Sequence, residues 1–498
     1  MTRALVLLSL ALLAVRILSA ALVVIQPGFT DAYYYTDVAR RLAHGQGLTA
    51  DFIWNFLEAP GLAPLPVASH RFWMPLATVV QAGGIIVLEP LLGPFRSAQA
   101  AVVALAAFVP AAAYAAGRSV GASPRASLVA AALAGIGGGA FAPAWVALDS
   151  FVVAALVGTC FFLSFGPAAD GDVRFGAIAG ALVGLLFLAR AEGALFGIAL
   201  LALAARPRSR GSGIAGSAVA LAIGLGWLAR GLALGGTPDL LSRTVFLVRY
   251  EDFYALVPSG TADAGAIVGA RLGALWSDLL VAVFTLLLVL LIPLWVGLRA
   301  GWRHPAVRAF AFLALLLYLV EAVVWPLHAT RGSYFHSLAA FYPFAMALVA
   351  LGGERWLAGR DRVARRLAIG GTLAASAALA VTGLVTWDSA FNEPYRARLA
   401  ALDAIPNGPF LAIDAAAWRY ISDRPVVVTP ADGPMLAACL AQRYGANSVV
   451  IEPTRFSAYE GLYQGTGPAI FRSSTERGGI HIYLLPANLA CAVGETSP

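Results

Sequence analysis

The sequence predicts a mainly α, polytopic transmembrane helical bundle of about eleven spans plus an interfacial helix, with a C-terminal extracytoplasmic α/β domain. Three observations point there. Of the 498 residues, 60% are hydrophobic and only 12% charged, with a mean hydropathy of +0.78; a soluble domain carries about 25% charged residues. Apolar runs long enough to cross a bilayer, roughly 17–25 residues, recur from residue 4 to residue 388. Beyond residue 390 they stop, and short β-rich runs alternate with helical ones.

The expected spans are 4–25, 97–117, 127–146, 148–166, 175–190, 192–205, 212–234, 275–298, 306–326, 335–352 and 367–388. The stretch 75–92 is shorter, carries Gly83 and Gly84 after Pro75, and reads as an interfacial or re-entrant helix. Basic residues flag alternate loops: Arg118 and Arg125; Arg206, Arg208 and Arg210; Arg299, Arg303 and Arg308; and Arg355 to Arg366. The positive-inside rule makes these loops cytoplasmic. The first loop 26–74, the loop 235–274, the segment 327–334 and everything after 388 then lie outside. Two units follow: 1–389, the transmembrane domain with the external loop 26–74, and 390–498, the extracytoplasmic domain. In the latter, strands are expected at Phe410–Ile413, Val426–Thr429, Ser448–Ile451 and Ile480–Leu485, with helices over 415–421 and 434–444.

Composition also bounds function. The net charge is +7, and every one of the 34 basic residues is Arg. They cluster beside spans, where topology accounts for them, so nucleic acid is not an expected partner. Cys160, Cys439 and Cys491 have no metal-ligand spacing. Cys439 and Cys491 share the external domain, and whether they pair is left open. No Rossmann or P-loop fingerprint occurs.

The first external loop holds the densest chemical signal. Residues 29–48 read Phe-Thr-Asp-Ala-Tyr-Tyr-Tyr-Thr-Asp-Val-Ala-Arg-Arg-Leu-Ala-His-Gly-Gln-Gly-Leu. Thr30 or Asp31 can cap a short amphipathic helix that Gly45 ends. Asp31, Tyr34, Tyr35, Val38 and Leu42 share one helix face. Asp37 lies off that face and reads as a solvated carboxylate. An acid held by aromatic rings at a lipid–water boundary suits work on a lipid-linked substrate; an interfacial anchor helix has the same pattern. Asp31 and Tyr34 followed by Ala39-x-x-Leu42-x-x-Gly45-x-Gly47 resemble the first external loop of the GT-C superfamily of polytopic glycosyltransferases. Its members include protein O-mannosyltransferases and the aminoarabinose transferases acting on lipid A. The resemblance covers most of residues 1–390.

The resemblance implies transfer of a sugar from a polyprenyl phosphate donor, with inversion, at the outer face of a prokaryotic inner membrane. The acceptor would be a lipid, glycan or protein of the cell envelope. Such transfer needs a base for the acceptor hydroxyl, donors for the leaving phosphate and a groove for the lipid. Asp31 resembles the loop carboxylate of the superfamily and is the expected base, and Asp149, in Val-Ala-Leu-Asp-Ser-Phe, resembles its second external acid. Arg71, Arg331 and His70 are the candidates for donor phosphate, because arginine offers a fixed charge and several donors; interfacial snorkelling is the alternative for each Arg. Tyr34, Tyr35, Arg190, Glu192, His328 and Tyr334 are candidate substrate contacts, Arg190-x-Glu192-Gly resembling a turn found in the superfamily. The cluster Arg249–Asp252 reads as solvated surface, and Arg16, inside the first span, as the partner of a carboxylate in the bundle. No cofactor is required by the sequence; a divalent metal on Asp31 and Asp149 is compatible with the resemblance, but no further ligand spacing supports one. The rival class is a polytopic transporter or glycolipid flippase, since ionisable residues near spans also suit a translocation path; a polymerase joining lipid-linked glycans is a third reading.

Overall fold

The structure, a computed structural model, describes residues 2–57, 63–234, 244–245, 247–256, 262–486 and 491. The expected external loop 235–274 therefore lies partly outside the described residues. The chain is a multi-pass helical membrane protein. Among the described residues, seven helical runs are long and apolar enough to cross a membrane, or eight if the bent pair Pro124–Ile136 and Gly138–Ala144 is one span. Three shorter apolar helices add to them, Val173–Ala189, Ala191–Ala204 and Leu288–Gly301.

The difference from about eleven uniform spans arises where helices break. Gly137, at φ 79°, ends one helix and bends the next by 63°. The run expected over 275–298 is two helices, separated at Leu287 (φ 55°). Broken helices free main-chain carbonyls, which lipid cannot satisfy. Arg16, in helix α1 (Thr2–Leu22), meets the backbone beside two breaks, the one at Gly137 and another between Ala106 and Val109: its guanidinium donates to the carbonyls of Ala106 and Gly135 (2.9 Å for the latter). The expected carboxylate partner is not what it meets. Elsewhere close helix contact is made by small residues. A Cβ on Gly176 or Gly180 would lie 2.2 or 2.1 Å from the carbonyl oxygens of Ser212 or Gly216, so helices Val173–Ala189 and Arg210–Ala233 touch backbone to backbone.

The bundle has two distinct ends. At one, the arginine-rich loops meet: the Ser123 N–H donates to Glu354 (3.0 Å), and Arg208 pairs with Asp170 (3.0 Å). At the other lie Asp149, Arg190 and the chain after residue 388. Helix Phe151–Ala169 joins the two, and its 19 residues span roughly 28 Å, close to the hydrocarbon thickness of a bilayer.

Residues 76–92 form the first leg of helix α3 (Leu76–Ala106), which folds back at Gly93 (φ 71°). This leg runs beside helix α2 (Thr30–Ala43): Thr78 donates to the Tyr35 carbonyl (3.2 Å), and Glu89 pairs with His44 (2.9 Å). After the turn, Arg96 donates to the Ala20 carbonyl (2.6 Å) at the C-terminal end of α1. Both ends of the leg thus lie at one end of the bundle.

The first loop supplies strands β1 (Thr49–Ala50), β2 (Phe52–Ile53) and β3 (Val67–Ala68). The C-terminal region supplies β4 (Phe410–Ala412), β5 (Val426–Val427), β6 (Ser448–Ile451), β7 (Arg472–Arg477) and β8 (Ile480–Leu484), with helices Ala415–Ser422 and Pro434–Arg443. β1 pairs with β3, and the other six form one sheet in the order β2-β5-β4-β6-β8-β7. The first four are parallel and the last pairings antiparallel. β4, β5 and β6 are buried throughout, as parallel strands covered on both faces are. Because β2 comes from residues 52–53, the first loop and the C-terminal region close over a single core that also holds Tyr33, Tyr34 and Tyr35. The last long helix, Arg362–Trp387, continues through a π turn at Asp388–Asn392 into Glu393–Ala401, so the chain passes residue 390 without a linker. Cys439 and Cys491 are joined by a disulfide, and Cys160 is free and exposed.

Replacing Arg16 with methionine should leave the Ala106 and Gly135 carbonyls without a donor. The expected cost is about 1–3 kcal/mol, read as a lower unfolding midpoint in mixed micelles. An unchanged midpoint would remove Arg16 from the support of these breaks.

Candidate active site

α2 starts after Phe29 with no side-chain cap, so neither Thr30 nor Asp31 takes the capping position expected of it; Asp31 sits in the first turn. There its charge meets the positive end of the helix dipole. Gly45 (φ 76°) follows the helix as expected. Residues Ala32 to Ala39 are all buried. The Tyr34 hydroxyl accepts the main-chain N–H of His70 (2.6 Å), and the Tyr33 hydroxyl donates to Gln26 (2.6 Å). Gln81 ties α2 to the next acid: it accepts from the Thr36 hydroxyl (2.9 Å) and donates to the Leu148 carbonyl (3.0 Å).

Asp149 occupies the turn after helix Gly138–Ala144 and is 1% exposed. One carboxylate oxygen accepts the main-chain N–H of Ser150 and the Ser150 hydroxyl (2.8 Å). The other faces His336 Nε2 at 3.3 Å. His336 lies on the short helix Ser333–Leu338, which begins after Gly332; a φ of 111° there suits glycine and few other residues. Its Nδ1–H donates to the Gly332 carbonyl (2.7 Å), which turns Nε2 toward Asp149, and its ring stacks on Phe151 with centroids 4.3 Å apart. Asp31, Asp149 and His336 each bring one ligand atom within 4.8 Å of the others.

Their protonation states separate. Burial raises the Asp31 carboxyl to about 6, the charge on His336 opposing and that on Asp149 adding to the rise. Burial acts the same way on Asp149, but the facing His336 outweighs it and holds that carboxyl below its ordinary value. For His336, burial favours the neutral ring, yet Asp149 raises it above its ordinary range. The cluster is thus Asp149 facing His336, each shifted toward its charged form by the other, beside a more basic carboxylate. Two carboxylates and an imidazole with this spread also suit a single divalent cation, whose ligand bonds of about 2.0–2.6 Å place ligands at such separations. Binding would require His336 to give up its proton.

Arg190 and Glu192 reach the same helix as His336. Arg190 extends from the end of helix Val173–Ala189, pairs with Glu192 (3.3 Å) and approaches the Ser333 and Ser337 hydroxyls (3.3 Å each). The Ser333 hydroxyl lies 2.7 Å from Glu192 and 2.9 Å from Glu321, a buried acid absent from the sequence reading.

The remaining candidates are arranged around this centre. Tyr35 stacks on His70 (interplanar angle 15°). His70 is 1% exposed and has a left-handed backbone (φ 58°). Burial lowers it to about 3, and its Nδ1–H donates to the Trp73 carbonyl (3.1 Å), so it is neutral and Nε2 can only accept. His328 is lowered by burial to about 4 and lies between Phe72 and Phe253. Arg331 is exposed, with its guanidinium 4.1 Å above the Tyr250 ring. Tyr250 in turn bonds Tyr254 (2.7 Å) and lies within the electrostatic reach of Asp31, so the segment read as solvated surface borders the site. Arg71 is partly exposed. Tyr334 points away, toward Tyr318.

No family model matches the chain, and no curated protein matches it. Solved structures do. ArnT from Cupriavidus metallidurans, bound to undecaprenyl phosphate, matches with a TM-score of 0.61 and 15% identity over 96% of this chain and 97% of that one. The archaeal oligosaccharyltransferase AglB from Archaeoglobus fulgidus, in complex with an inhibitory peptide and a dolichol-phosphate, gives 0.54 and 14% over 90% and 69%. The arabinofuranosyltransferase AftD from Mycobacteria gives 0.55 and 14% over 98% of this chain and 40% of that one. At these identities the likeness is one of fold, and the fold is that of the GT-C glycosyltransferases, as the first-loop motif implied.

Proposed function

We propose that this chain is a membrane glycosyltransferase that moves a sugar from a polyprenyl-phosphate donor to an acceptor hydroxyl, with inversion, at the outer face of a prokaryotic inner membrane. The observation that carries this reading is the convergence of Asp31, Asp149 and His336 at one end of a bundle with this fold. Two of the similar structures were solved with a lipid phosphate, undecaprenyl phosphate in one and dolichol-phosphate in the other, which supports a lipid-phosphate donor.

In this mechanism Asp31 takes the acceptor proton. A carboxylate raised to about 6 remains ionised at neutral pH yet is more basic than usual. The acceptor oxygen attacks the anomeric carbon while the bond to phosphate breaks, and the electron pair leaves on the phosphate. Asp149, charged and locked to His336, keeps Asp31 basic and fixes the His336 ring. Arg331, exposed on its aromatic support, and Arg71 are assigned to the leaving phosphate; neutral His70 offers it no charge or free donor. Arg190, held by Glu192, places a fixed positive charge beside the acids. A transporter reading is less well supported, because Asp31, Asp149, His336, Arg190, Glu192 and Glu321 gather at one end of the bundle instead of lining a path through it. A second reading of the centre adds a divalent cation on Asp31, Asp149 and His336. When bound, it would supply positive charge to orient oxygen ligands at the centre.

Asp31→Asn keeps shape and removes basicity, so transfer from a radiolabelled polyprenyl-phosphate sugar should fall by about 10²–10⁴-fold with donor binding retained. Near-normal turnover would refute the base assignment. For the unaltered protein, activity should rise with pH through about 6, as Asp31 loses its proton; a rate independent of pH across that range would argue against it.

The arginine pattern and the shared end of the bundle support a topology with positions 95 and 476 outside and position 119 inside. Impermeant thiol reagents applied to intact cells should label Phe95→Cys and Glu476→Cys, but not Ser119→Cys, in a Cys160→Ser background. Labelling of position 95 only after permeabilisation would overturn this topology.

The cation reading is open to NMR on labelled histidine. Adding Mg²⁺ or Zn²⁺ should convert protonated His336 to its neutral, ligated form, and Asp149→Asn should abolish the change. A His336 signal indifferent to both ions would leave the centre as an ion pair and base alone.

A further inference from the structure

α2 carries a second acid, Asp37, six residues after Asp31 and about 120° away around the helix. It is not solvated, as its sequence position suggests, but 1% exposed. One of its oxygens, Oδ2, makes no hydrogen bond. Its charge is met by two arginines: Arg40 of the same helix at 4.0 Å, and Arg419 of helix Ala415–Ser422 at 3.9 Å. Arg419 is 7% exposed and sits among three acids, with Asp51 at 3.8 Å and Asp423 at 2.7 Å completing the set. Arg41 also faces Asp51 (4.0 Å), and Arg40 faces Asp423 (3.7 Å). The C-terminal domain thus grips the back of the helix that presents Asp31 on its front.

We propose that Arg419 is a positioning residue for Asp31: by balancing the buried Asp37 it keeps α2 seated and Asp31 beside Asp149 and His336. The physical reason is the cost of an under-compensated buried charge. Without Arg419, Asp37 keeps only Arg40, which is 4.0 Å away and also faces Asp423, so it is driven toward water, and it can get there only if α2 shifts, carrying Asp31 with it. This inference rests on the reading of Asp31 as the base.

The test compares Arg419→Met with Arg419→Met/Asp37→Asn and Arg419→Lys in the purified full-length protein. Arg419→Met is expected to lower kcat at least tenfold with donor KM within twofold, and to speed hydrogen–deuterium exchange over residues 30–43. Adding Asp37→Asn removes the stranded charge and should restore kcat to within threefold and exchange to the original rate. Arg419→Lys keeps the charge and should lose less than Arg419→Met. If Arg419 merely stabilises its own domain through Asp423, a change on α2 will rescue nothing, and the proposal falls. It falls equally if Arg419→Met alters neither kcat nor exchange in α2. Should Arg419→Met alone not fold, recovery of folded, active protein in the double variant supports the clamp and failure to recover overturns it. If the unaltered protein transfers no sugar, the functional reading fails by itself, while the exchange measurements still decide whether Arg419 holds α2.

Discussion

The structure depends on a short polar helix being buried from both sides. α2 is only 14 residues long and carries two acids, two arginines and three tyrosines. A helix of that length and composition has little stability of its own. It is held because several of the polar groups it buries meet partners on different parts of the chain. Thr36 meets Gln81 of α3, Tyr34 meets the His70 main chain, Tyr33 meets Gln26, and Asp37 faces Arg419. Its N-terminal approach is fixed as well: Gly28 passes so close to Trp387 that a Cβ there would lie 2.6 Å from the ring. The acid in its first turn is therefore placed by the membrane bundle and by the C-terminal domain together.

That placement explains the electrostatics of the centre. Two carboxylates brought close in a dry site cannot both stay charged unless a cation intervenes. His336 is that group, but it pairs with only one of them. Gly332 and the stacking of the ring on Phe151 direct Nε2 to Asp149. Asp31 is left with burial and a like-charged neighbour raising it and the more distant imidazolium restraining it. The difference in basicity between the acids is thus set by which one the histidine ring faces.

The broken helices serve the same end. A straight helix would have run through the turn that carries Asp149 and through the segment that leads to His336. Stopping helices near the end of the bundle puts irregular backbone there, and irregular backbone is tolerated in a membrane protein only where its polar groups are met by protein or water. Arg16 meets two such carbonyls. One buried charge on α1 thereby supports the backbone beside two helix breaks.

Much of the architecture was legible in the sequence because it follows from local physics. Apolar runs announce a membrane bundle regardless of their neighbours, and β6 and the helix Pro434–Arg443 fall where periodicity and turn residues place them. The Asp31 motif was readable because its spacing is local. His336 was not, although it lies two residues beyond a segment already singled out at Tyr334; nothing in Tyr-Phe-His-Ser says that the ring will meet an acid 187 positions earlier in the chain. Asp37 reads as solvated by helix spacing, yet in the fold it is buried and faces Arg419 of helix Ala415–Ser422. Arg16 reads as half of an ion pair, because the breaks it answers lie in other helices. β2 is too short to announce itself and exists because β5 offers it an edge. The sequence by itself determined a membrane bundle, a sheet-forming C-terminal region and an acid presented just after the first span, since each depends on residues close together in the chain. Tertiary structure alone decided which charges meet, which are buried and which titrate apart, because those depend on neighbours that only folding brings within a few ångströms.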